Sequence, residues 1–287
     1  MATTQIIRRR IRSIEGTAKI CKAMEMVATA KMRRAQHQAV AGRPYADKIS
    51  QVIADLAAQS RVAEAIHPLL QSREVKRIAI VHMTTDRGLC GGLNTNINRL
   101  VAGFILEQNL PVTFVTVGRK GRAFMLRAGQ KIHAEFTGIS DRPTLFETLP
   151  ISRVVIEDYS NGDFDLAYLA YPRFVTTMVQ RAAIEVLLPI EPAKLPPIQA
   201  VDYIYEPKPS VVLNELLPRY VEMKVYHAIL ELVASEQSAR MVAMRNASDN
   251  AKDLMEHLTL VLNKVRQETI TKEICDISGG AGALARR

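Results

Sequence analysis

The stretch Thr84-Thr85-Asp86-Arg87-Gly88-Leu89-Cys90-Gly91-Gly92-Leu93-Asn94-Thr95-Asn96 is where residue types and spacing come nearest to chemistry. It follows an apolar run, Ile78 to Met83, and precedes a helical pattern starting at Leu93. A glycine-rich turn between a strand and a helix is where nucleotide-binding folds carry their phosphate loop, because backbone N–H groups and a helix N-terminus converge there. The glycine spacing does not match G-x-G-x-x-G, and no Lys-Ser or Lys-Thr follows to make a Walker A motif. A structural or partner-contacting turn is therefore favoured over phosphate binding. Cys90 lies in the loop, but no adjacent His is present to activate a thiolate.

Other reactive side chains make no constellation. His82, His133, His227 and His257 are dispersed, and Asp163 and Asp165 only flank Phe164 in a turn. Cys21, Cys90 and Cys275 are scattered, with no CxxC and no His at ligand spacing. That argues against zinc and against a secreted disulfide framework, and suits a reducing cytoplasm. The expectation is no catalytic residue, no cofactor and no metal. No apolar run approaches the roughly 18 residues that a membrane span needs.

The elements around the loop are of two kinds. From Ile7 onward, steps of four and three residues give Ile7, Ile11, Ile14, Ala18, Cys21, Glu25, Ala28, Met32, Ala35, Ala39, Gly42, Ala46, Ile49, Ile53 and Leu56. Only Glu25 is polar, and such a seam is that of a coiled coil. A helix over 4–59 would be roughly 84 Å long and needs a second long helix to cover it. The far end of the chain offers one from Ser210, a candidate N-cap, to a stop at Gly279-Gly280. Its stripe reads Met241, Met244, Ala247, Ala251, Leu254, Leu258, Val261 and Val265. Glu25 either turns to solvent or pairs with a cation on the other arm, Arg240 being the expected partner.

Between the arms the period changes. Strands are predicted at 76–83, 112–117, 131–136, 166–171 and 179–188, with helices at 93–108, 121–128 and 144–159. Pro189, Pro192, Pro196 and Pro197 make a stiff connector to the last helix. The fold class is α/β: a long antiparallel two-helix coiled coil of the N- and C-terminal helices, with an inserted small, Rossmann-like α/β domain. The expected divisions are 1–60, 61–209 and 210–287.

Charge is uneven. Of a net +9, residues 1–60 carry eleven Lys/Arg against four Asp/Glu, whereas 211–287 carry ten of each. The basic arm predicts an acidic partner, which nucleic acid or an acidic protein would satisfy. The arginine-rich opening also admits a transit peptide. Its seam, however, continues in register to residue 56, which a removable leader does not need.

Several segments then point the same way. Ile11-Arg12-Ser13-Ile14, Lys22 to Ala28 and Ala30 to Gln36 resemble the amino-terminal helix of the gamma subunit of F-type ATP synthases. Asp86 to Asn94 is similar to that family's central loop, and Tyr203-Ile204-Tyr205-Glu206-Pro207 to the segment before its last helix. Ser235 to Met244, Asp249 to Ala251, Leu260 to Gln267 and Ile270 to Ile274 match that helix and its tip.

The resemblance implies a central rotor shaft without an active site of its own, one copy per complex. It would couple rotation of an ion-driven membrane ring to the alpha/beta catalytic hexamer. By motif match, Met24, Cys90, Arg240, Arg266, Gln267 and Thr271 would contact the beta subunit. Tyr203 and Glu206 would face the membrane c-ring and the epsilon subunit. The basic arm would meet acidic beta loops rather than nucleic acid. No cysteine pair of the chloroplast type is present, so thiol regulation is not implied. The implied location is the cytoplasmic face of a bacterial cell membrane, peripherally bound, with no signal peptide or transmembrane segment. The alternative is a basic coiled-coil nucleic-acid binder or scaffold.

Overall fold

The computed structural model describes residues 2–59, 67–108, 110–190, 206 and 209–284. The order is α1 (Ala2–Gln59), a 3₁₀ turn (Pro68–Leu70), β1 (Ile78–Met83), α2 (Leu93–Glu107), β2 (Val112–Val117), α3 (Arg119–Arg127) and β3 (Ile132–Phe136). Then follow α4 (Leu145–Asn161), β4 (Leu166–Phe174), β5 (Gln180–Leu188) and α5 (Pro209–Leu284). The expected α/β class and the two long terminal helices are present. Two compact units divide the chain, one of residues 1–27 with 241–287, the other of 28–240. The prolines at 192, 196 and 197 lie outside the described residues.

In the smaller unit both helical segments bury one stripe. On α1 the seam positions Ala18, Cys21 and Glu25 are buried, and Ile7, Ile11 and Ile14 half-buried. The α5 stripe departs from the expected one. It runs Met241, Met244, Ser248, Ala251, Met255 and Leu258, with Leu254 exposed. A small serine and a flexible methionine hold the three-four spacing there, so the period prevails over the most apolar residue. The stop at Gly279-Gly280 does not occur either: α5 continues to Leu284 and begins at Pro209, so Ser210 is inside the helix. A glycine costs a helix only about 1 kcal/mol, too little to end one without a competing cap.

Glu25 takes the second of its two readings with a different partner. It accepts from Arg245 at 3.0 Å and Lys22 at 2.9 Å, whereas Arg240 is engaged by Glu236 and the Gly88 carbonyl. Lys22, and after it Arg245, hold the Glu25 carboxyl below the usual range. Because Arg245 is half exposed, a double-mutant cycle on urea stability is expected to give a modest coupling of about 0.5–1 kcal/mol. Additive losses for Glu25→Ala and Arg245→Ala would refute the pair.

The larger unit is built on a five-stranded sheet of order β3-β2-β1-β4-β5. The strands β1 to β4 are parallel neighbours, and β5 returns antiparallel on β4. Every residue of β1 is buried, as a central parallel strand covered on both faces must be. On one face Ile78, Ile80 and Phe114 pack with Ile97 and Val101 of α2 and Met125 of α3. On the other, Ala79, Val81, Met83 and Val115 meet Ile151, Val155 and Tyr159 of α4. Ile49 and Ile53 of α1 and Leu217, Val221 and Val225 of α5 join that same core. Further along, Ala35 of α1 packs with Val233 and Ala234 of α5. Residue numbers rising on α1 thus meet falling numbers on α5, the antiparallel sense expected.

Candidate functional site

Residues 28–240 contain the glycine-rich loop and a cleft of about 370 Å³ at the carboxyl ends of β1, β2 and β3. Open α/β sheets bind ligands in that position. Here the cleft is walled by Ile229, Leu232 and Val233 of α5 and carries Asp86, Asp141 and Glu236. The protein's own groups occupy the seat an anion would take. Asp86 Oδ1 accepts from the backbone N–H of Arg119, the first residue of α3, at 2.9 Å. Its Oδ2 accepts from the Gly138 N–H at 2.7 Å. A carboxylate at a helix N-terminus satisfies the same donors and partial charge that a phosphate would.

The remaining loop contacts lock the turn. Thr85 Oγ1 donates to the Arg87 carbonyl at 2.6 Å, and the Thr85 N–H donates to Asn94 Oδ1 at 3.1 Å. Asn94 Nδ2 donates to Thr85 Oγ1 at 2.8 Å and to Cys90 Sγ at 3.4 Å. Below it, Thr84 Oγ1 donates to the Val117 carbonyl and accepts from the Gly121 N–H at 2.7 Å. From α5, Arg240 donates to the Gly88 carbonyl at 3.1 Å and to Glu236 at 2.6 Å. Burial pushes the Glu236 carboxyl up, and the Arg240 guanidinium opposes that.

Two of the expected beta contacts, Cys90 and Arg240, have buried side chains in this chain. Cys90 is 2% exposed, and burial pushes its thiol up, which disfavours a thiolate. Arg240, 8% exposed, is held inward by Glu236, because an unpaired buried guanidinium would be costly. The structure brings Arg240 and the Cys90 loop together through Gly88. It places Met24 half-buried on α1, and Arg266, Gln267 and Thr271 exposed on α5, within the smaller unit. Glu206 is exposed, and Tyr203 lies outside the described residues.

Other candidates are structural. Asp165 Oδ2 accepts from the N–H groups of Lys76 and Arg77 at 2.9 and 3.0 Å, and His133 pairs with Asp158 at 2.9 Å. Among the described residues no group of three or more His, Cys, Asp or Glu could hold a metal ion. Sequence reasoning missed Asp86 and Glu236. Glu236 was legible as the i, i+4 partner of Arg240; Asp86 was not, since its partners lie across the sheet.

The class defined here is an α/β sheet of nucleotide-fold topology whose anion seat is filled from within and whose ligand crevice is walled by one of two antiparallel terminal helices. The sequence profile described as ATP synthase matches residues 3–284. The ATP synthase gamma chain of Dehalococcoides mccartyi is 58% identical over 99% of this chain and 100% of its own length. That of Chloroflexus aurantiacus is 48% identical over 99% of each. The chain belongs to the ATP synthase gamma-chain family.

Solved structures agree on the fold. A chain of the central stalk and c-ring of the Tetrahymena thermophila mitochondrial ATP synthase superposes with a TM-score of 0.61 at 25% identity. The match covers 80% of this chain and 99% of that one. A chain of the Euglena gracilis OSCP/F1/c-ring assembly gives 0.67 at 20% identity, covering 99% and 95%.

Proposed function

We propose that this chain is the central-stalk rotor of an F-type ATP synthase, transmitting rotation between an ion-driven membrane ring and the alpha/beta catalytic hexamer. The observation that carries the reading is the full-length relationship to gamma chains, which spans both long helices and the domain between them. The chain has no catalytic site of its own in this reading. Asp86 in the anion seat and α5 beside the crevice support that. One copy would serve each complex, at the cytoplasmic face of a bacterial membrane. No described helix is long and apolar enough to cross the bilayer, so attachment would run through the c-ring and epsilon subunit, with Tyr203 and Glu206 toward them. Divisions near residues 60 and 209 would separate the arms from the domain.

On the beta side, Met24, Arg266, Gln267 and Thr271 are the direct contacts of this reading. Arg240 and Cys90, both buried, would contribute through the loop that they hold. The basic stretch from Arg8 to Arg34 would face acidic beta loops, which removes the need for nucleic acid as a partner. Met24→Lys is expected to lower coupling about tenfold relative to Met24→Ala, because an added cation beside carboxylates forms a contact of about 1–2 kcal/mol that must break at each step. Rotation speed at saturating ATP measures this, and equal speeds would place Met24 elsewhere.

The test of the reading is reconstitution with cognate alpha and beta subunits fixed to a surface and a bead on the α/β domain. Unidirectional ATP-driven stepping by thirds of a turn is expected. ATP hydrolysis with a motionless bead would mean a static scaffold.

A further inference from the structure

The end of β4, the hairpin after it and the loop after β3 all bond to a single turn of α5. Ser235 Oγ donates to the Pro172 carbonyl at 2.9 Å. Ser238 Oγ donates to the Thr177 carbonyl and accepts from Gln180 Nε2 at 3.2 Å. Gln237 Nε2 donates to Asp141 Oδ1 at 3.3 Å, and the other Asp141 oxygen accepts from Lys31 Nζ of α1. Asp141 thus ties both long helices to one loop. About three turns back along α5, the Tyr226 hydroxyl donates to the Pro143 carbonyl of that same loop at 3.4 Å.

Ser235, Gln237 and Ser238 are buried, and a buried polar group must keep its partner. Turning or sliding α5 by one residue would strand all three. The apolar contacts beside them, Ala35, Val233 and Ala234 with Phe174, hold the helices without fixing an angle, since apolar attraction is non-directional. Hydrogen bonds are directional. The joint is therefore keyed. It lies at the last residues of α5 in the larger unit, and α5 runs on unbroken from there into the smaller one.

We propose that Asp141, Gln237 and Ser238 are positioning residues that lock the α/β domain to the two long helices against twisting. Torque applied to the domain enters α5 and α1 through this joint. The proposal rests on the central-stalk reading and adds to it the place where the rotor is stiffened.

The experiment uses the full chain in the cognate alpha/beta hexamer fixed to a surface, with a bead on the α/β domain. Angular fluctuation of the bead is recorded during the pauses between steps at low ATP, and its variance is inverse to the torsional stiffness. Asp141→Ala and Ser238→Ala are each expected to raise the variance about 1.5- to twofold, because each removes one of two independent loop ties. Asp141→Asn raises it less, since its amide oxygen still accepts from Gln237. The Tm of each chain alone falls by only a few degrees, the Lys31–Asp141 pair being partly exposed.

Parent-like variance in both alanine variants overturns the joint and leaves the stalk reading intact. A lowered Tm with parent-like variance does the same, because the ties would then serve only the chain's own fold. A parent complex that hydrolyses ATP with a motionless bead removes both readings.

Discussion

Gly118→Ala is expected to destabilise the α/β unit by about 4 kcal/mol or more, enough to leave much of the chain unfolded at 37 °C. Gly118 sits at φ +92° and ψ 143° between β2 and α3, a region essentially closed to L side chains. A Cβ there would lie 2.1 Å from the Thr84 carbonyl oxygen and 2.7 Å from its carbon. Neither can yield cheaply. The Thr84 N–H is bonded to the Val117 carbonyl at 2.8 Å, and the Gly118 N–H to the Phe136 carbonyl at 2.8 Å. Relief requires the ends of three strands to part, with loss of the Asp86 clamp on Arg119.

The control is Gly129→Ala, at φ +67° with nothing within 4 Å of its Cβ, where strain without collision should cost about 1 kcal/mol. Urea denaturation separates the two cases. Equal losses would mean that the close approach at Gly118 does not exist in solution.

The second large effect is an acid limb set by His82. The ring is completely buried on β1, edge-on to Phe114 at 6.5 Å. Neither nitrogen makes a hydrogen bond of sound geometry among the described residues. Burial lowers its pKa from 6.5 to about 4, with the Asn98 side chain offsetting this only in part. The folded protein therefore holds His82 neutral while the unfolded chain protonates it near pH 6.5.

The stabilisation from keeping it neutral is complete above about pH 6.5 and is lost as pH falls to about 4, at up to about 1.4 kcal/mol per pH unit. In total about 3 kcal/mol is at stake over that window. His82→Gln should flatten the dependence of urea stability on pH between 6.5 and 4, whatever it does to stability at pH 7. A slope unchanged by the substitution would assign the acid limb to other groups.

The long helices, the succession of strands and helices along the chain and the seam of α1 were all determined by the sequence, because they rest on local periodicity. Ala18, Cys21, Glu25, Ala28, Met32, Ala35, Ile49 and Ile53 are buried where the three-four spacing placed them. Family membership was legible for a related reason: long motifs lie along the helices and the loop in contiguous order.

Tertiary structure alone decided what each site residue faces. Cys90 and Leu89 are adjacent, yet one is 2% and the other 61% exposed, through a left-handed turn that no periodicity encodes. Asp86 reads as one more loop carboxylate until Arg119 and Gly138 are brought to it across the sheet ends. The choice of Arg245 over Arg240 for Glu25 depends on helix register, and one turn of register is worth less than the uncertainty of any one-dimensional pattern. Local spacing settles which elements form. Which of their polar groups meet is settled by contacts between residues far apart in the chain, and those are present only in the folded molecule.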